Sequence, residues 1–224
     1  MVIVGLMIGK RVSSGVPGKN ISYVLGKRLC EYPLIAAREY GKLDHIFVST
    51  DCLVIEEMGL KYDCEIINRP EELEDPETLT EDVLNHAHYE IKRRYPDLDI
   101  DYYLLLYANG GFINSKLISG AVNKLQLNPE FDSCVGVCKA NMFTPIRAKR
   151  IDSGELLPFT DLSFFGEFTS NRDSAGDVYF IDVSLQVIKS YCFEHMDGKH
   201  EPFLWLGDNI LPYEKDFGLS LIHI

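Results

Sequence analysis

Apolar and polar residues alternate along the chain in a pattern typical of parallel α/β proteins. Continuous apolar runs at residues 2–8 and 102–107 predict strands that are buried on both faces. Helical spacing of apolar side chains at residues 33–40 and 83–91 predicts helices between such strands. The alternation predicts a three-layer α/β/α sandwich with a mainly parallel, Rossmann-like sheet.

The remaining elements follow from shorter patterns. Strands are predicted at residues 46–51, 65–67, 133–138 and 177–181, and helices at 53–58 and 117–125. Thr78 and Glu81 have the spacing of a capping box, and Asn114 is expected to cap the helix that follows it. Residues 1–224 are interpreted as one domain, with residues 139–175 as an inserted arm. The arm is rich in phenylalanine, and we expect it to pack against a second subunit in a homodimer.

Composition narrows the function classes. The chain has 224 residues and a formal net charge of −12, which argues against nucleic acid or an anionic membrane as its main partner. Its apolar runs are all shorter than the roughly 20 residues of a membrane span, and the apolar start lacks the features of a signal peptide. The six cysteines form no C-x-x-C pair, so we expect free, buried thiols in a cytoplasmic protein.

The loop after the first strand carries the most informative chemistry. Residues 9–20, GKRVSSGVPGKN, combine glycines, serines and three cations. Glycine lets backbone N–H groups approach phosphate oxygens, and Lys10 and Lys19 supply compact positive charge. The loop matches neither the Walker A motif nor G-x-G-x-x-G, so a dinucleotide-dependent oxidoreductase is disfavoured. In parallel sheets, ligands bind at the carboxyl ends of strands, where this loop begins.

This loop resembles the signature G-R-x-G-S-x-G-x-P-G-K-N of the acylneuraminate cytidylyltransferases, the CMP-sialic acid and CMP-Kdo synthetases of the nucleotide-diphospho-sugar transferase fold. The resemblance continues over most of the chain in the same order. The further segments are STD at 49–51, RPEEL at 69–73, HA at 86–87, YAN at 107–109, PIRA at 145–148 and NRDSAGDVYF at 171–180.

The resemblance implies an enzyme that joins CTP to an acidic 2-keto sugar and releases pyrophosphate. It implies catalytic roles for Lys10 and Lys19, which would neutralise the triphosphate. Nucleotide-binding residues would be Gly9, Ser13, Asn20, Arg69 and Asn109. Arg147 and Arg172 are candidates for gripping the sugar carboxylate, because a guanidinium can do so with two hydrogen bonds. Further sugar contacts are assigned to Asn171, Asp173, Asp177 and Tyr179.

The resemblance also implies Mg²⁺, which would neutralise the pyrophosphate leaving group. The family's acidic pair near its C-terminus is absent after Gly218, so no metal ligand is carried over. Residues 220–224 depart from the family pattern, and we expect them to be a non-native end. Two alternatives stay open: a catalytically silent nucleotide-binding homologue, and a nucleotidyltransferase for another sugar phosphate or polyol phosphate.

Overall fold

A computed structural model describes residues 1–11, 16–75, 77–171, 173–174 and 176–215. The strands are β1 (Ile3–Gly9), β2 (Tyr23–Val24), β3 (Lys27–Arg28), β4 (His45–Thr50), β5 (Glu65–Asn68), β6 (Tyr102–Tyr107), β7 (Ser133–Lys139), β8 (Lys149–Asp152), β9 (Glu155–Pro158), β10 (Tyr179–Lys189) and β11 (Ile210–Lys215). The helices are α1 (Glu31–Tyr40), α2 (Leu53–Lys61), α3 (Thr80–Arg94), α4 (Ser115–Gln126) and α5 (Tyr191–Glu194). Among these residues no helix is long and apolar enough to cross a membrane.

Seven strands form the central sheet, in the order β11-β7-β10-β6-β1-β4-β5. Strand β10 runs antiparallel to both of its neighbours, and every other pairing in this sheet is parallel. Strand β1 lies between β4 and β6, so the chain leaves it towards one side and later returns on the other. Such a reversal of strand order opens a crevice at the carboxyl edge of the sheet.

Apolar side chains cover both faces of this sheet. Helices α1, α2 and α4 pack on one face, where Leu34, Ile55 and Ile118 belong to a single buried cluster. Helices α3 and α5 pack on the other face, through residues such as Leu84 and Phe193. The predicted three-layer α/β/α architecture with a mainly parallel sheet is therefore confirmed.

The caps of two helices illustrate where local patterns succeed and fail. Asn114 caps α4 as expected, since its side-chain oxygen accepts a hydrogen bond from the Leu117 N–H at 3.0 Å. The capping box at Thr78 is wrong, because α3 begins at Thr80 with Leu79 in the capping position and no side-chain cap. The six cysteines are buried free thiols, as predicted.

The predicted strand at residues 177–181 is wrong in its bounds. Strand β10 starts at Tyr179 and continues through Lys189, and beyond Ile181 it carries the buried polar residues Asp182, Ser184 and Gln186. These polar positions obscured the strand in the hydrophobic pattern. Strand β11, which pairs with β7 at the far edge of the sheet, was also not predicted.

The predicted arm is more regular than its sequence suggested. Within residues 139–175, strands β8 and β9 form an antiparallel hairpin, and two short 3-10 helices cover Asn141–Phe143 and Leu162–Phe165. Several of its apolar side chains are exposed: Phe143, Ile151, Leu156, Phe159 and Phe164. The expected non-native end at residues 220–224 lies outside the described residues.

Candidate functional site

A cleft opens at the carboxyl edge of the sheet, at the crevice beside β1. It is formed by the end of β1, the loop after it, the loop after β6, and the segment that joins β5 to α3. The described residues that line it are Ile8, Gly9, Lys10, Lys19, Asn20, Arg69, Leu73, Asp75, Thr78, Thr80, Val83, Tyr107, Ala108 and Asn109. Six residues that the sequence analysis assigned to the nucleotide and its phosphates therefore share one cleft.

Hydrogen bonds hold both ends of the cationic loop at this cleft. The Asn20 side chain donates from Nδ2 to the Lys10 carbonyl oxygen at 3.0 Å, which brings Lys10 and Lys19 to the same opening. The Arg11 N–H donates to Asp51 Oδ1 at 2.7 Å, which anchors the loop to the end of β4. Ser13, the remaining predicted residue of the loop, lies outside the described residues.

Arg69 is fixed by the neighbouring strand. Its Nε donates to Ser49 Oγ at 3.2 Å, and its Nη2 donates to the Ser49 carbonyl oxygen at 2.9 Å. Burial lowers the pKa of the guanidinium from its ordinary value, while the carboxylates of Asp51 and Glu74 oppose that shift. Because an arginine stays protonated under these influences, Arg69 places a permanent positive charge in the wall of the cleft.

The floor of the cleft is formed by closely packed backbone. A Cβ at Gly9 would lie 2.7 Å from Ala108 Cβ and 2.9 Å from Ile55 Cδ1, so only glycine fits there without displacing its neighbours. Asn109 lies in a tight turn after β6, in which the Gly110 N–H donates to the Tyr107 carbonyl oxygen at 2.7 Å. Burial raises the pKa of the Tyr107 hydroxyl, which therefore stays neutral at the cleft.

Of the residues assigned to the sugar, Arg147, Asn171 and Asp173 lie in the arm, and Asp177 and Tyr179 follow it. None of these five is among the residues that line this cleft. Arg147 and Asn171 line a second depression, together with Lys149 and several hydroxyl-bearing residues. Arg147 donates from Nη2 to the Ser170 carbonyl oxygen at 2.8 Å, which secures one edge of its guanidinium. Arg172, the other candidate for the sugar carboxylate, lies outside the described residues.

The remaining three sugar candidates lie beside Lys139 and Asn141. Asn141 donates to Asp173 Oδ1 at 2.7 Å and to Asp177 Oδ1 at 3.2 Å, and Lys139 Nζ lies 2.6 Å from Asp177 Oδ1. These hydrogen bonds, that from Lys139 above all, lower the pKa of Asp177. Tyr179 is 42% exposed, so it is not a core residue.

Sequence reasoning missed three polar residues of the cleft, namely Asp75, Thr78 and Thr80. The sequence pattern predicts Thr78 as a helix cap, but its position just before a helix at the carboxyl edge is also typical of a ligand-binding residue. Asp75 is the single carboxylate among the described residues that line the cleft. No group of three His, Cys, Asp or Glu side chains that could hold a metal ion occurs in the described parts of the chain. No magnesium ligand is therefore assigned among the described residues.

A doubly wound sheet with a cationic loop at its switch point defines a nucleotide-binding α/β protein. Comparison with known proteins identifies the class more closely, because residues 8–156 match the family model of the cytidylyltransferases. The chain belongs to the cytidylyltransferase family. The resemblance noted in the sequence is thereby confirmed.

Individual proteins that resemble this chain do so at low sequence identity. A Helicobacter pylori protein, described as pseudaminic acid cytidylyltransferase and UDP-2,4-diacetamido-2,4,6-trideoxy-beta-L-altropyranose hydrolase, is 23% identical over 164 residues. The match covers 73% of this chain and 31% of that protein, so the chain spans about a third of the length of this curated relative.

Solved structures share the fold at low identity. A CMP:2-keto-3-deoxy-manno-octonic acid synthetase complexed with CTP is 13% identical, with a TM-score of 0.66 over 96% of this chain and 90% of that one. A 4-diphosphocytidyl-2C-methyl-D-erythritol synthase from Anaerococcus prevotii is 18% identical, with a TM-score of 0.62 over 100% and 91% of the two chains.

Proposed function

We propose that this chain transfers the cytidylyl group of CTP to an acidic 2-keto sugar. The anomeric hydroxyl of the sugar attacks the α-phosphorus, the bond from that phosphorus to the bridging oxygen breaks, and pyrophosphate leaves. The hydroxyl proton is released to solvent. The observation that carries this proposal is the cleft, which brings together Lys10, Lys19 and Arg69 from well-separated parts of the sequence.

The chemistry of the cleft suits a nucleoside triphosphate. Transfer at phosphorus depends mainly on positioning and on neutralising the charge that moves to the leaving group. Lys10 and Lys19 would supply that charge from the first loop, and the backbone at Gly9 can approach the phosphates closely. Asn109 would bond the cytosine edge, since an amide offers both donor and acceptor atoms. Mg²⁺ would share the charge neutralisation, but no step is assigned to it.

The proposal that the substrate is an acidic sugar rests on a residue of the arm. Arg147 carries a guanidinium in a polar depression, which suits the carboxylate of a 2-keto sugar acid. The names of relatives that act on pseudaminic acid and on a 2-keto octonic acid support the same substrate class. The exposed apolar residues of the arm support a homodimer, as surface of this kind commonly packs against a second subunit. Because CTP is an intracellular substrate, the proposal also places the enzyme in the cytoplasm.

The test is a pyrophosphate-release assay with CTP, Mg²⁺ and a panel of 2-keto sugar acids. Parallel reactions would use ATP, GTP or UTP as the nucleotide, and methylerythritol phosphate or sugar phosphates as the acceptor. Release that requires CTP and a 2-keto acid supports the proposal. Release with a phosphorylated acceptor favours the sugar phosphate or polyol phosphate alternative. CTP binding without any release favours the silent homologue.

A variant pair tests the assignment of the loop. Lys19→Ala should weaken CTP binding by about tenfold or more, the size expected for losing a charge-assisted contact. The matched control is Lys27→Ala, which removes the same charge from an exposed residue of the β2–β3 hairpin outside the cleft lining. Equal CTP affinity in the Lys19 variant and the wild type would contradict the assignment.

A further inference from the structure

A buried ion pair lies behind the loop that carries Asn109. The ammonium of Lys215, at the end of β11, contacts Asp182 Oδ2 on β10, and both side chains have 0% exposure. Lys215 Nζ also donates to Ser184 Oγ at 3.1 Å. A lysine with no solvent exposure cannot contact a substrate directly, so any part it takes in the reaction must act through neighbouring residues.

The sheet is built to admit this lysine. Strand β7 separates β11 from β10, and the Lys215 side chain must cross it to reach Asp182. The crossing occurs at Gly136, which pairs with Asp182 and where an added Cβ would lie 3.1 Å from Lys215 Cδ. A side chain at this position would crowd the lysine stem. Glycine at this position therefore leaves room for the lysine side chain to cross β7.

The ion pair lies at an irregularity of β10. The register with β7 shifts between Asp182 and Gln186, so the intervening residues bulge from the ladder. Asp182 Oδ1 accepts a hydrogen bond from the Ser184 N–H at 3.0 Å, which closes the bulge on itself. Lys215 contacts both Asp182, where the bulge begins, and Ser184, which lies within it.

The bulge lies next to the turn at the cleft. Ser184 Cβ lies 3.7 Å from the point where a Cβ on Gly110 would stand, next to Asn109. The same turn contains the hydrogen bond from the Gly111 N–H to the Asn109 carbonyl, at 2.8 Å. Burying an ion pair gains little stability over apolar packing of the same volume. Its use here is better explained by the geometry that it imposes.

We propose that Lys215, with Asp182 and Ser184, is a positioning group that holds the Asn109–Gly110 turn in its nucleotide-binding arrangement. The part that concerns the nucleotide rests on the proposed function. The part that concerns the turn does not, because it can be measured in the ligand-free protein.

The test uses the paired substitution Lys215→Met with Asp182→Asn. This removes both charges, so no charge is left alone in the core, and Asn can still accept from the Ser184 N–H. The matched control is Tyr191→Phe, which removes a donor from another buried carboxylate, Asp132, at the amino end of β7.

Hydrogen exchange of the ligand-free proteins gives the first readout. The paired variant should exchange the Gly110 and Gly111 amides about fivefold faster or more, with α4 amides unchanged, because local openings can differ from global unfolding. The Tyr191→Phe control should show no selective change at the turn. Unchanged exchange at the turn, or equal acceleration in α4, would overturn the proposal.

CTP titration gives the second readout. The paired variant should bind CTP about tenfold more weakly, and in an Asn109→Ala background it should cause no further loss, as expected for groups that act through one another. Additive losses, or faster exchange with unchanged CTP affinity, would overturn the nucleotide part. If the wild-type protein binds no CTP, the proposed function fails, and the exchange result alone decides whether Lys215 holds the turn.

Discussion

Removing one member of the Lys215–Asp182 pair should strongly destabilise the protein. In Lys215→Met, the Asp182 carboxylate stays in a site with 0% exposure and loses the ammonium that compensates it. Breaking a buried pair from one side costs about 3–5 kcal/mol. That is a large part of the roughly 5–15 kcal/mol by which a domain is stable. For a domain of about 150–250 residues, each kcal/mol lowers Tm by about 2–4 °C, so a fall of about 6–20 °C is expected.

Urea unfolding would measure this loss. The chain has one tryptophan, Trp205, which is buried and donates from Nε1 to Gln186 Oε1 at 2.9 Å, so its fluorescence should report unfolding of the core. The free energy of unfolding should be compared among the wild type, Lys215→Met and the paired variant with Asp182→Asn. An unchanged m-value would show that the variants unfold from equally compact states.

The comparison between the single and the paired variant is decisive. The paired variant should recover most of the lost free energy of unfolding, because neutralising both residues leaves no uncompensated charge in the core. A loss of less than about 1 kcal/mol in Lys215→Met, within the ordinary range of surface substitutions, would refute the reasoning. So would a paired variant that is as unstable as the single one.

Three further outcomes are expected. Gly9→Ala should cost about 1–3 kcal/mol by overpacking against Ala108, and should weaken CTP binding in titration because the cleft floor moves. Asn114→Ala should lower the free energy of unfolding by about 1 kcal/mol, while Asn114→Asp should retain most of the cap. Burial lowers the pKa of His88 despite the nearby Glu194 carboxylate, so the folded state disfavours its protonation. Stability should therefore fall as pH drops below the unfolded value of about 6.5, and His88→Gln should flatten that part of the curve in urea unfolding at several pH values.

The elements that were predictable from the sequence are those whose apolar pattern is uninterrupted. Strand β1 is a run of apolar and glycine residues, and α4 begins at a side chain that caps it. The part of β10 beyond Ile181 was not predictable, because Asp182, Ser184 and Gln186 place buried polar groups within it. Their partners come from distant parts of the chain, and no local pattern reveals such pairing.

The residues of the candidate site differ in the same way: some have a local sequence signature, and others depend on how distant elements pack together. The first loop has a local signature, so Lys10 and Lys19 were identifiable from the sequence alone. Thr80 was not, because its place in the cleft depends on how α3 docks on the sheet. The hydrogen bond that joins Asp51 to the Arg11 N–H likewise spans two strand ends, and it becomes visible once β1 and β4 are known to be neighbours.

The acidic character of the chain bears on how it would select its ligand. The net charge is −12, yet Lys10, Lys19 and Arg69 converge on one cleft. A long polyanion such as nucleic acid would have to lie across the acidic surface beyond the cleft, and repulsion there opposes its binding. A nucleoside triphosphate is small enough to place its charge within the cationic cleft alone. The contrast between the overall charge and the local charge therefore favours a small anion over a polymeric one.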